Sequence, residues 1–263
     1  TLKMEWIQVI FLAAIQGVIE FLPISSSGHL ALFPAIFGWE DQGLVFDVAV
    51  HLGSLIAILF YFRQDISRIF YSQTPSAPNP YRREALLVIL GTIPILIIGY
   101  LLSDELLNAL RSPVMIASAT AFFGVILWWS DVSFSNVKVI KNISLKEVLF
   151  IGLMQAVAVV PGTSRSGITI TAARILGIDR IEAARFSFLL AIPAIAASAV
   201  WQAFGLIGQT HIIEWDKILV AILLSCLFSW LTIYFFLKFI QAIKFSWFMS
   251  YRLLVAALVF MLL

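Results

Sequence analysis

The sequence predicts an all-α polytopic membrane protein: six transmembrane helices plus two re-entrant helical hairpins in an inverted-topology repeat. Three observations predict it. The 263 residues are 61% hydrophobic and 12% charged with mean hydropathy +1.00, whereas a water-soluble domain carries roughly a quarter charged residues. Six apolar runs reach the roughly 20 residues that cross a bilayer as helix. Two further apolar runs stop abruptly at clusters of Pro, Ser and Gly. Other classes are excluded by composition. A net charge of +2 offers no footprint for nucleic acid, and the single cysteine, Cys226, permits neither a disulfide framework nor a cysteine zinc site within one chain. Cys226, in AILLSCLFSW, reads as a small buried hydrophobe. Aromatic residues make up 14% of the chain, which suits lipid-facing surface and interfacial belts.

In chain order, TLKMEWIQVIFLAAIQ lacks a basic stretch followed by a small-residue cleavage site, so it is expected to belong to the fold rather than to a signal peptide. Residues 5–22 form a first apolar arm, broken by PISSSGH and followed by a short apolar stretch, 30–37, that ends at a glycine. Spans follow near 45–62, 85–102 and 113–130. The pattern then recurs: an arm at 147–160, a break at PGTSRSG, a short stretch at 168–176, and spans near 186–205, 217–239 and 246–263. Returning arms of about eight or nine residues make roughly 12–14 Å of helix, too little to cross a bilayer. Each unit is therefore expected to enter and leave by one face, its tip tolerated because protein or a water-filled cavity surrounds it. YSQTPSAPNPYRRE, at 71–84, reads as the longest cytoplasmic loop.

The chain reads as one membrane domain, 1–263, made of two copies: about 1–130 with a hairpin at 5–37, and about 140–263 with a hairpin at 147–176. Gln16 matches Gln155; after a one-residue shift, Pro23 matches Pro161 and Ser26 matches Ser164; IFGWED then matches ILGIDR. One hairpin plus three crossings inverts the second copy relative to the first, an architecture of many transporters. Charge tests this independently. Arg63, Arg68, Arg82, Arg83, Lys138, Lys141, Lys146, Arg174, Arg180, Arg185, Lys238 and Lys244 all fall on one side, leaving Lys3, Arg111 and Lys217 on the other. The richer side is the cytoplasm by the positive-inside rule. Both termini are then outside, the first hairpin enters from outside and the second from the cytoplasm, and their tips can meet near the midplane.

The first tip supplies Gln16, Glu20, Ser25, Ser26, Ser27 and His29; the second supplies Thr163, Ser164, Arg165, Ser166 and Thr169. Gln16 and Glu20 are four apart and share a helix face. Gly28, Gly162 and Gly167 permit close backbone approach and expose N–H groups suited to an anion. Arg165 can grip phosphate oxygens in two-pronged fashion. His29 can act as base, acid or nucleophile near neutral pH. Structural readings stand beside these. Ser25, Ser166 and Thr163 read equally well as helix caps, Gln155 as an interhelical hydrogen-bonding residue, and Glu20 with Arg165 as an ion pair, although an intramembrane charge points to function by default. Asp47 and His51, also four apart, are expected to support the site by hydrogen bonding, with an ion-binding or entrance-lining role as the alternative. His211 reads as an interfacial surface histidine.

Q-x-x-x-E at 16–20 with PISSSGH at 23–29, together with PGTSRSGIT at 161–169, resembles the bacterial undecaprenyl-diphosphate phosphatase family, also called the bacitracin resistance protein, along nearly the whole chain. The resemblance implies an integral membrane hydrolase that removes the terminal phosphate of undecaprenyl diphosphate, recycles the carrier lipid for peptidoglycan synthesis and confers bacitracin resistance. It implies a bacterial plasma (inner) membrane location with the pocket facing outside, and a divalent cation, Mg2+ or Ca2+, as cofactor. Partners are the polyprenyl diphosphate and membrane lipids, with no nucleic acid, and a homodimer is compatible. Glu20, Ser26, His29, Ser164, Arg165 and Thr169 match the family's functional positions. Catalysis is expected of His29, Glu20, Ser26 and Arg165, and metal binding of Glu20. Substrate binding is expected of Ser25, Ser27, Gly28, Gly162, Ser164, Ser166, Gly167, Thr169 and Gln16. Gln16 stands where many relatives have glutamate, and a neutral amide is the poorer magnesium ligand. His29 as nucleophile, or as base for water or for Ser26, remain equal alternatives. The competing class is a carrier that moves a polyprenyl-phosphate lipid through the same pocket.

Overall fold

In lipid a backbone satisfies its N–H and C=O groups within itself, so apolar runs of bilayer length become helices. The computed structural model describes residues 4–70, 79–102, 109–134, 137–205 and 214–262. Its α-helices are α1 (Trp6–Ile19), α2 (Ser26–Phe37), α3 (Gly43–Tyr61), α4 (Arg63–Phe70), α5 (Pro80–Leu101) and α6 (Pro113–Ser133). They continue with α7 (Leu145–Ala156), α8 (Arg165–Ile175), α9 (Arg180–Gly205), α10 (Trp215–Phe239) and α11 (Phe245–Leu262). Six of them, α3, α5, α6, α9, α10 and α11, are long and apolar enough to cross a membrane. The protein is therefore a multi-pass helical membrane protein, as its composition predicts. His211 and Lys3 lie outside the described residues.

Helix starts fall earlier than hydropathy alone predicts, because polar first turns dilute an apolar window without disfavouring helix. α9 begins at Arg180 rather than near 186, and α5 at Pro80, where the Asn79 side chain accepts the Tyr81 N–H at 3.0 Å and proline occupies the first helical position. The loop expected at 71–84 is thus helical from Pro80 onward. α4, not anticipated from the sequence, sets Ile66 and Ile69 against Arg63, Gln64 and Arg68 within two turns. At α7 a capping box closes the start: the Ser144 hydroxyl accepts from the Glu147 N–H, and the Glu147 carboxylate accepts from the Ser144 N–H. Lys138 pairs with the same carboxylate, and the two partners hold Glu147 down at a pKa of about 2.

α1–α2 and α7–α8 are the two helix–break–helix units. Their second arms are 12 and 11 residues long, about 18 and 16.5 Å of helix, longer than expected but still short of the roughly 30 Å hydrocarbon core. The extra length arises because the serine clusters enter the first helical turn instead of staying in the break. Ser25 (φ 73°) and Ser164 (φ 70°) precede the two arms, and they are the positive-φ non-glycine residues among those described. Gly38 (φ 65°) and Gly177 (φ 78°) follow the same two arms. Both pairs are 139 residues apart, as are Gln16 and Gln155. This corrects the sequence match: Ser25, not Ser26, corresponds to Ser164, and Ser26 corresponds to Arg165. Pro23 and Pro161 sit in irregular backbone, where one residue can be displaced without altering either helix.

α10 packs against α1 and α3, α6 against α11, and α5 against α7. α9 crosses α3, α5 and α8, and Phe21, Phe186, Phe188 and Phe245 fill the core between them. The first turn of α2 meets the second break inside this bundle: a Cβ on Gly28 would lie 3.7 Å from the Gly162 Cα. Gly162 itself has φ 92° and lies against the Ile116 carbonyl, so no side chain fits there.

Candidate active site

Glu20 ends α1 and is 8% exposed. Its Oε2 accepts from Gln16 Nε2 at 2.9 Å, one helical turn back, and from the Ser26 hydroxyl at 2.6 Å. Its Oε1 accepts from Arg165 Nη2 at 2.8 Å, across from the other break. Ser26 and Arg165, the corresponding first residues of the two short arms, therefore meet on one carboxylate. An ion pair this deep is a costly thing to build for stability alone, because removing two charges from water offsets most of their attraction. Arg165 Nη1 also donates to the Ser187 carbonyl at 3.3 Å, which orients the guanidinium from α9.

A cavity of about 490 Å³ opens on this group. Glu20, Ser25, Ser26, Ser27, Ser164 and Arg165 form its polar end. Ile95, Leu96, Tyr100, Ala194 and Trp201 form an apolar wall contributed by α5 and α9. One end thus suits an anionic headgroup and the other a hydrocarbon chain. Ser25 and Ser164 differ in use despite their matching backbone. Ser164 Oγ accepts the Gly167 N–H at 3.1 Å and caps α8, whereas Ser25 Oγ is buried without a protein partner at the cavity edge. Positive φ at a serine costs roughly 1–3 kcal/mol and persists where surrounding structure enforces it.

The remaining expected residues stand behind this surface. Ser166 Oγ donates to the Leu22 carbonyl at 2.9 Å, tying one break to the other, and so does not cap α8. Thr163 Oγ1 is buried without a partner, and the capping role belongs to Ser164. The Thr169 hydroxyl contacts the Arg165 and Ser166 carbonyls and Ser187 Oγ, bracing the first turn of α8. Gly28 and Gly167 sit in the first turns of the short arms. Gln155 donates to the Gly91 carbonyl at 3.3 Å, the interhelical bond expected of it.

His29 is 4% exposed and does not line the cavity. Its Nδ1–H donates to the Ser25 carbonyl at 2.7 Å, and its Nε2 accepts from the Tyr251 hydroxyl at 2.8 Å, with the two rings stacked. Both ring nitrogens are engaged away from the cavity. His51 takes the exposed place instead: it lines the cavity with Nε2 3.7 Å from Glu20 Oε2, while Nδ1–H donates to the Asp47 carbonyl at 2.7 Å. The Asp47 carboxylate is bonded to Gln42 Nε2 at 2.9 Å, so the spacing of Asp47 and His51 does not make them a side-chain pair.

Two buried arginines were missed by sequence reasoning. Arg174, expected among the cytoplasmic charges, is fully buried and lies 3.3 Å from Asp131 Oδ1, while Arg180 grips the same carboxylate at 2.5 and 2.7 Å. Arg252, in the last span, is also 0% exposed and bonds backbone carbonyls of both breaks. A lone arginine inside FMSYRLLVAALV was the available signal, since intramembrane charges are functional by default. Among the described residues no three His, Cys, Asp or Glu side chains gather to hold a metal by themselves.

Fold and site together define a polytopic helical membrane protein in which two broken helices bring a carboxylate, a serine hydroxyl and a guanidinium to the polar end of a largely apolar cavity. The family model for bacitracin resistance protein BacA matches residues 9–258. Undecaprenyl-diphosphatase 1 of Pseudoalteromonas translucida (strain TAC 125) is 47% identical over 255 residues, covering 95% of this chain and 96% of the relative. The undecaprenyl-diphosphatase of Nitrosococcus oceani is 44% identical over 263 residues (98% and 99% coverage), and that of Teredinibacter turnerae 46% over 261 residues (98% and 99%). The chain belongs to the BacA family of bacitracin resistance proteins.

Proposed function

We propose that the protein hydrolyses undecaprenyl diphosphate to undecaprenyl phosphate and inorganic phosphate, recycling the carrier lipid and lowering the pool available to bacitracin. The observation that carries this reading is the shared carboxylate of Glu20, which accepts from Ser26 Oγ at 2.6 Å and from Arg165 at 2.8 Å at the cavity's polar end. Glu20 Oε2 is placed to take the Ser26 proton as Oγ attacks the terminal phosphorus. The bond from that phosphorus to the bridging oxygen breaks, and lipid monophosphate leaves. Water then cleaves the phosphoserine to release phosphate and regenerate the hydroxyl. Arg165 balances the charge on the phosphoryl oxygens. The geometry favours Ser26 over His29 as nucleophile, because both His29 nitrogens are occupied behind the cavity. Ser25 Oγ and Ser27, both on the cavity surface, are placed to bind the phosphates.

A divalent cation such as magnesium or calcium fits beside this group: Glu20 offers a carboxylate, and the buried Gln16 Oε1 on the neighbouring turn has no protein partner. Held by these and by diphosphate oxygens, it would neutralise charge on the departing phosphate.

The helix–break–helix units are read as re-entrant hairpins of an inverted repeat, supported by the short second arms and the constant 139-residue register of their backbone features. The cavity is read as opening outside the bacterial plasma membrane. Gly99, Tyr100 and Trp201 place its apolar wall at the C-terminal ends of α5 and α9, whereas Arg82, Arg83, Arg180 and Arg185 lie at the N-terminal ends of the same helices.

The test is phosphate release from undecaprenyl diphosphate by purified protein in detergent, with and without chelator. Phosphate release that stops with Glu20→Gln supports the reading. Lipid movement between vesicle leaflets without phosphate release would overturn it in favour of a carrier.

A further inference from the structure

Arg252 lies midway along α11, is fully buried, and takes no part in the chemistry above. Its four hydrogen bonds all go to backbone carbonyls. Nε donates to Thr120 of α6 at 2.9 Å, Nη1 to Pro23 in the first break at 3.1 Å, and Nη2 to Gly162 at 2.8 Å and Thr163 at 3.0 Å in the second break. A buried guanidinium in the last span thus bonds both breaks at once. The three carbonyls in the breaks each lie within three residues of a group at the catalytic carboxylate: Pro23 three before Ser26, and Gly162 and Thr163 three and two before Arg165. The preceding residue, Tyr251, holds His29, which in turn holds the Ser25 carbonyl. The chain from α11 therefore reaches the strained residues that start both short arms.

We propose that Arg252 is a positioning residue that sets the separation of the two breaks, and through it the alignment of Ser26 and Arg165 on one phosphoryl group. This rests on the phosphatase reading above. A planar guanidinium presents five donors from three separated nitrogens and so reaches carbonyls of two breaks and a third helix at once, whereas the three donors of a lysine radiate from one nitrogen. The site is built tightly around that fork: a Cβ at Gly124 would meet the Arg252 Cβ at 3.1 Å and Cδ and Nε at 3.3 Å. A Cβ at Gly167, in the first turn of α8, would meet Arg252 Nη1 at 3.2 Å. Neither Arg252 nor any residue whose carbonyl it bonds lines the cavity, so loss of the fork should spoil alignment rather than substrate capture.

The experiment measures kcat and KM for phosphate release from undecaprenyl diphosphate by Arg252→Lys and wild type, with the detergent melting temperature as the folding control. Misalignment of reacting groups on the order of 1 Å costs about 100-fold in rate. The expected result is a fall in kcat of about 100-fold with KM within about threefold of wild type, in a variant that retains a cooperative melt. Unchanged kcat in folded Arg252→Lys, or a loss appearing wholly in KM, overturns the proposal. If Arg252→Lys does not fold, Gly124→Ala carries the test, since it displaces the arginine stem while keeping every donor. A kcat fall at constant KM in that variant supports the proposal, and unchanged kcat overturns it. A wild type that releases no phosphate fails the functional reading instead, so the two failures are distinguishable.

Discussion

Replacing Arg165 with lysine keeps the charge and removes the fork, and the loss can be worked from the bonds the residue makes. A guanidinium offers five N–H donors. One goes from Nη2 to Glu20 Oε1 at 2.8 Å and one from Nη1 to the Ser187 carbonyl at 3.3 Å, leaving about three for phosphate. A lysine ammonium has three donors, and with the same two protein acceptors engaged about one remains. The exchange removes about two charge-assisted bonds to the phosphoryl group, each worth about 1.5–3 kcal/mol. Since 1.36 kcal/mol is a factor of ten, kcat/KM should fall by about 10² to 10⁴. The assay is steady-state release of inorganic phosphate from the diphosphate lipid in detergent. The melting temperature should change little, because the buried carboxylate keeps a cationic partner. A kcat/KM within about threefold of wild type would refute the reasoning.

Ser26→Ala should lower turnover at least about a thousandfold, whereas His29→Gln, which can still donate to the Ser25 carbonyl, should stay within about tenfold. Parallel turnover measurements decide, and a reversed order would return the nucleophile's role to His29. Gly99→Phe should raise KM for the long-chain lipid while sparing a short-chain isoprenyl diphosphate, because Gly99 lies on the apolar wall where added atoms meet nothing within 4 Å. Equal effects on both substrates would place the chain elsewhere. Glu147 has a folded pKa of about 2, below its ordinary 4.5, so its stabilisation is present above about pH 4.5 and is lost as pH falls towards 2. The melting-temperature gap between wild type and Glu147→Gln should therefore be full at pH 6 and close on acidification; a gap independent of pH would show that Lys138 and Ser144 do not hold the carboxylate.

How much could be read in advance varies by element. The spans were legible because about 20 apolar residues suffice to place a helix in lipid, whatever its neighbours. The helix starts at Pro80 and Arg180 lie ahead of the apolar windows, because a polar first turn lowers hydropathy without disfavouring helix. Glu20, Ser26 and Arg165 were legible as chemistry, since charges and hydroxyls in an apolar chain need a reason to be there. The sequence ranks His29 as catalytic and His51 as a supporting residue, because His29 stands in the serine-rich break; only packing turned the ring of His29 towards Tyr251 and that of His51 towards Glu20.

The sequence by itself determined that this is a membrane protein of six spans with two polar breaks, and which residue types the breaks carry. Those properties depend on local composition and on spacing within a single helix. Tertiary structure alone decided which groups meet. It set Ser26 opposite Arg165 on one carboxylate, and it brought Arg252 between two breaks that precede it by 229 and 89 to 90 residues. Such contacts depend on how helices cross and how closely small residues let them approach, and neither leaves a period or a motif in the chain.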